Sequence, residues 1–195
     1  QRRAQPQEAP VGGDMGLPSS SSSEFSQSRV AAVEAMGEPV QAGFEVVTEL
    51  SGLNVPTAVR FSPDGRVFVA EKAGSIKVFD SLDDATPTTL QLPGSGPTYD
   101  FLDRGFLGLA LDPNFPDEPW VYGLHTRVHD GYTYDDDCPG TVGCMADGRL
   151  FRFQISPANA VVAGTEETLI AGNWCQQFTS HSIGTIEFGP NGELY

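Results

Sequence analysis

The chain has 195 residues, 39% of them apolar, with 22 Gly and 15 Pro. That balance suits one turn-rich β domain better than a helical one. Its 11 basic and 26 acidic residues leave a net charge of −15, which repels nucleic acid and anionic lipid surfaces and excludes both as partners. No apolar run reaches the ~18 residues that a membrane-spanning helix needs.

Residues 1–42 are Pro, Gly, Ser and Gln with few large apolar groups. Such a segment cannot bury enough surface to offset its ordering entropy, and it is expected to be a disordered linker or leader remnant. Within it, Ser28–Met36 (SRVAAVEAM) has the composition of a short helix. The chain starts at Gln1 and lacks a signal-peptide core, which suggests a removed leader or an internal fragment.

From residue 43 onward the pattern is β. Phe44–Leu50 (FEVVTEL) alternates with period two and is rich in β-branched residues, so a strand is expected there. Three more strands are expected over 58–62, 66–72 and 75–80, separated by Asp64–Gly65 and by Gly74. These turn residues supply the positive φ of tight hairpins, so the strands form an antiparallel meander.

The unit recurs. Phe61-Ser-Pro-Asp-Gly-Arg-Val-Phe68 matches Phe188-Gly-Pro-Asn-Gly-Glu-Leu-Tyr195, and Leu111-Asp-Pro-Asn-Phe leads into Trp120-Val-Tyr122 as a degenerate copy. Repeats of ~40–50 residues built from short strands are the sequence form of a β-propeller. A sandwich is the competing architecture. An insertion, 129–148, lengthens the second interval; 149–155 reads as a strand and 167–172 as a weaker one. The chain thus holds two to three blades and stops inside a strand, which reads as a truncated propeller over 43–195.

Cys138, Cys144 and Cys175 make an odd count. The CPGTVGC loop fits a disulfide between Cys138 and Cys144 or a pair of buried free thiols, and it lacks the spacing of a zinc site. The secretion-like composition favours the disulfide and an extracellular or periplasmic location. Cys175 would then find its partner beyond residue 195. His125 and His129 share one face of a strand without further metal ligands in view. Asp135, Asp136 and Asp137 lack the alternating spacing that aims carboxylates at one Ca²⁺.

Three segments carry a more specific likeness: PTAVRFSPDGRVFVAEKAGSIKVFD (56–80), DRGFLGLALDPNFPDEPWVYG (103–123) and SHSIGTIEFGPNGELY (180–195). In order and spacing they resemble the N-terminal part of the glucose/sorbosone dehydrogenase family, soluble six-bladed propellers that use pyrroloquinoline quinone. The stretch CQQFTSHSIG further resembles a bacterial extracellular branch of that family. The resemblance implies oxidation of an aldose or related polyol, with Ca²⁺ as a second cofactor and an external electron acceptor. It implies that His181 takes the proton of the sugar's C1 hydroxyl while hydride passes to the quinone. Imidazole, with an ordinary pKa of ~6.5, suits that role. The alternative is a histidine that caps a strand or bonds a loop carbonyl.

Gly184 follows the family's small residue after the histidine, where backbone can approach a flat cofactor. Asp103 and Arg104 stand where the family places substrate-side polar residues, but as an acid and a base where studied members carry amides. Ser180 replaces an acidic residue that some members use to bind sugar. The family's cofactor-facing basic residues and Ca²⁺ ligands fall in later blades, so the fragment alone is expected to be inactive. Two other readings stay open: a non-catalytic propeller that binds a carbohydrate or protein partner, and a metal-dependent lactonase, which would need carboxylates converging on the central channel.

Overall fold

The computed structural model describes residues 41–44, 46–94, 96–128, 146–176 and 179–195. The chain divides into two units at Val46 and Val47, and every strand among the described residues lies in the second unit. The expected leader and short helix fall largely or wholly outside the described residues, as do the Cys138–Cys144 pair, His129 and the Asp135–Asp137 run. Among the described residues no helix is long and apolar enough to cross a membrane.

Among the described residues eight strands form two antiparallel sheets, each ordered as a simple meander. The first holds β1 (Pro56–Phe61), β2 (Val67–Glu71), β3 (Ser75–Phe79) and β4 (Thr88–Gln91). The second holds β5 (Phe106–Leu111), β6 (Trp120–Val128), β7 (Ala146–Gln154) and β8 (Glu167–Cys175). The turns do what their residues dictate. At the β1–β2 turn Gly65 has φ 93°, and Ser62 N–H donates to the Arg66 carbonyl at 2.9 Å. At the β2–β3 turn Gly74 has φ 101°, and a Cβ there would lie 2.3 Å from Thr98 Oγ1.

One expected strand is absent. Residue 44 and residues 46–50 form no ladder, and Phe44 and Val46 are 70% and 78% exposed. Alternation makes a strand only where a sheet edge pairs with it, and among the described residues β1 pairs with β2 alone. Leu50 and Leu53 pack as irregular chain on Val67, Val69 and Phe79. The expected 167–172 strand, in contrast, runs on to Cys175.

The sheets pack face to face through Phe68, Ile76 and Val78 on one side and Phe106, Leu109, Phe151 and Phe153 on the other. The start of β5 is stapled to the first sheet. Phe106 N–H donates to the Lys72 carbonyl at 2.8 Å, and Thr57 Oγ1 donates to the Phe106 carbonyl at 2.6 Å. A second seam binds Arg66 to Asn159 at 2.8 Å and Asn159 to Asp80 at 2.7 Å.

The last residues form a tight turn packed on the second sheet. Glu187 and Tyr195 exchange both backbone hydrogen bonds, at 3.0 and 2.9 Å, around the GPNG turn. Phe188 meets Tyr122 edge-on at 5.0 Å, and Ile186, Phe188 and Leu194 cover Ala110 and Tyr122. The first two turn repeats thus join the first two strands of each sheet, and the third closes an isolated Phe188–Leu194 bridge.

The seam is tight at Gly123. A Cβ there would lie 2.4 Å from Phe151 Cζ and 3.1 Å from Phe106 Cε2. Both rings are fully buried and have no room to retreat. Gly123→Ala is expected to lower stability by ~1–3 kcal/mol, read as a lower urea midpoint of the full-length protein. An unchanged midpoint would show that the rings can move.

Candidate active site

Antiparallel register brings the β4–β5 connection and the segment after β8 to one end of the second sheet. Phe106 at the start of β5 pairs with His125, and Cys175 at the end of β8 pairs with Asp147. The residues singled out at 103–104 and 180–184 therefore meet, although ~75 residues separate them in sequence.

Asp103 and His181 are linked directly. His181 N–H donates to Asp103 Oδ2 at 3.0 Å, and Asp103 N–H donates to the Thr179 carbonyl at 3.1 Å. His181 is exposed and has a left-handed backbone, φ 60°. That conformation disfavours residues with a Cβ and persists where surrounding bonds enforce it. Ser180 beside it is also exposed. Gly184 is exposed, and a Cβ built on it meets nothing within 4 Å.

Arg104 lies elsewhere than its neighbour. Its side chain is fully buried, with the guanidinium carbon 4.9 Å from the centre of the Tyr99 ring. Nη2 donates to the Gln176 carbonyl, while Nε and Nη1 have no hydrogen-bond partner among the described residues. A guanidinium so enclosed holds backbone and does not face solvent.

Sequence reasoning missed the polar knot beneath the histidine. Gln176 Oε1 accepts from Thr126 Oγ1 at 2.8 Å and from Ser182 Oγ at 2.6 Å. Thr126 Oγ1 and Ser182 Oγ are themselves 3.1 Å apart. Only the spacing of polar residues inside an apolar strand, as at Thr126, hinted at it.

His125 stands apart from this chemistry. It is fully buried, edge-on to Phe151 at 5.2 Å, with Nδ1 3.0 Å from Thr98 Oγ1. Burial, then the charges of Arg149 and Arg127, push its pKa down to about 3. The unfolded imidazole takes its proton near pH 6.5, the folded one only near 3. Its contribution is therefore complete above pH ~6.5 and is lost as pH falls, by up to ~1.4 kcal/mol per unit. The urea midpoint of the full-length protein is expected to drop from pH 7 to pH 5, and to drop less in His125→Gln. Equal drops would contradict this.

Among the described residues no group of three or more His, Cys, Asp or Glu is placed to hold a metal ion.

The model of the glucose/sorbosone dehydrogenase family matches residues 53–195. The chain belongs to this family. A solved structure described as an oxidoreductase (glucose dehydrogenase), from Thermus thermophilus, shares 30% identity over 73% of the chain, with a TM-score of 0.56. The PQQ-bound aldose sugar dehydrogenase of Streptomyces coelicolor shares 24% over 76%, with a TM-score of 0.52, and speaks for the fold. No curated protein matches the chain. The chain spans 36% and 39% of the length of those two structures. With its all-β, blade-like sheets it is part of a β-propeller of this family, and the matched region contains Asp103, His181 and Gly184.

Proposed function

We propose that the full-length protein oxidises an aldose or related polyol at C1, with pyrroloquinoline quinone as hydride acceptor and His181 as the base. The observation that carries this reading is an exposed histidine at the sheet end, tied through its backbone to Asp103 of the neighbouring connection.

The proton of the C1 hydroxyl passes to the His181 imidazole. As the C–O bond gains double-bond character, hydride leaves C1, and an aldose becomes its lactone. When bound, the quinone would supply the two-electron acceptor for that hydride. Deprotonation in step with hydride departure makes the sugar a better donor, which is the gain general-base catalysis offers. Gly184 would suit a flat cofactor: three residues after the base its backbone is exposed, with open space where a side chain would stand. Ser180, exposed next to His181, would hydrogen-bond a sugar hydroxyl. The partners of the quinone's carboxylates and of Ca²⁺ are assigned to later blades.

The test is reconstitution of the full-length protein with the quinone and Ca²⁺, with dye reduction followed over a panel of aldoses and polyols. Sugar-dependent reduction that requires the quinone is expected. Bound quinone with no dye reduction by any sugar would overturn the enzymatic reading in favour of a binding propeller.

A further inference from the structure

We infer that Asp103 is a positioning residue: its carboxylate brackets the backbone of His181 and sets where the base stands, without contacting the sugar. This rests on the reading of His181 as the base. The bracket is reciprocal. Asp103 donates its own N–H to the Thr179 carbonyl and accepts the His181 N–H, so one residue grips the opposing segment at two points. A charged acceptor makes the second bond stronger than a neutral one would.

The surrounding bonds all act on the same segment. Buried Arg104 donates to the Gln176 carbonyl before the histidine. Ser182 after it is held by Gln176 Oε1 and lies within hydrogen-bond distance of Thr126 Oγ1. Asp103 is itself held in place. Leu102 has φ 52°, its carbonyl accepts from Lys72 Nζ, and Arg104 N–H closes the turn onto the Phe101 carbonyl at 3.2 Å. Two left-handed non-glycine residues, Leu102 and His181, thus flank one carboxylate. Strained backbone held by such a set of bonds marks a site where geometry matters more than local stability. Without the bracket His181 is free to relax toward φ below zero, and its imidazole moves with it.

The chemistry separates positioning from substrate contact. Asn at 103 retains an oxygen that accepts the His181 N–H; Ala does not. In the reconstituted full-length protein, Asp103→Ala is expected to lower kcat by ~10–100-fold with KM for the sugar within about twofold. Asp103→Asn is expected to keep kcat within about threefold of wild type, since the acceptor survives. A higher KM with kcat intact in either variant would overturn the proposal, as would unchanged kinetics in Asp103→Ala.

Amide hydrogen exchange at His181 reads the bracket without any turnover. Protection is expected in wild type and Asp103→Asn, with exchange about tenfold faster in Asp103→Ala. Equal exchange in wild type and Asp103→Ala would overturn the bracket. A wild-type protein that oxidises no sugar would defeat the reading of His181 as a base, while the exchange result would still decide whether Asp103 holds its backbone.

Discussion

His181→Ala is expected to lower kcat for sugar oxidation by the full-length protein by ~10²–10⁴-fold, the range associated with loss of a positioned general base. Quinone binding should survive, because the substitution removes an exposed side chain and leaves Gly184 and the backbone bond to Asp103 in place. If His181 acts on the sugar's hydroxyl, the defect lies in kcat more than in KM. It should also shrink as pH rises and the hydroxyl needs less help. An unchanged kcat would remove His181 from the reaction.

The largest effect on stability is expected at Phe151. Its ring is fully buried, stacks on Phe153 at 6.1 Å and meets His125 edge-on at 5.2 Å. Phe151→Ala would open a cavity lined by Gly123, Phe106 and His125, walls belonging to strands that cannot close over it. The expected loss is ~3–5 kcal/mol, measured as a fall in the urea midpoint. The consequence reaches the site: β6, which carries His125, also carries Thr126, whose hydroxyl donates to Gln176. A loss below ~1 kcal/mol would mean that the seam between the sheets repacks freely.

The meander was legible because its turns are chemical. Asp64–Gly65 and Gly74 announce positive φ, and Val67–Glu71, apolar but for its last residue, announces a strand buried on both faces. The pairing of two similar sheets was legible through the recurrence of the β1–β2 turn sequence, in degenerate form between β5 and β6 and again at 188–195. Phe44–Leu50 misled because its alternation describes an ability to pair and says nothing of a partner. β4 went unseen because four residues carry too little pattern, although Leu90 is its one buried side chain.

At the site, residue types were legible and their division of labour was not. Asp103 and Arg104 are adjacent in sequence, yet one is exposed and bonded to the His181 backbone while the other is fully buried under the same segment. Nothing in an Asp-Arg dipeptide says which side chain turns inward. That follows from Gly105, whose φ of 146° turns the chain into β5, and from the Tyr99 ring that receives the guanidinium. Gln176 and Ser182 escaped notice because their role depends on each other and on Thr126, which lies far from both in the chain.

The most direct test of the central claim is a single turnover without external acceptor. Quinone-loaded full-length protein is mixed with an aldose bearing hydrogen or deuterium at C1, and the absorbance of the oxidised quinone is followed. A sugar-dependent loss of that absorbance is expected, slower with deuterium because the C1–H bond breaks in the step observed. Bound quinone whose absorbance no aldose changes, or an equal rate with the two isotopes, would contradict the central claim.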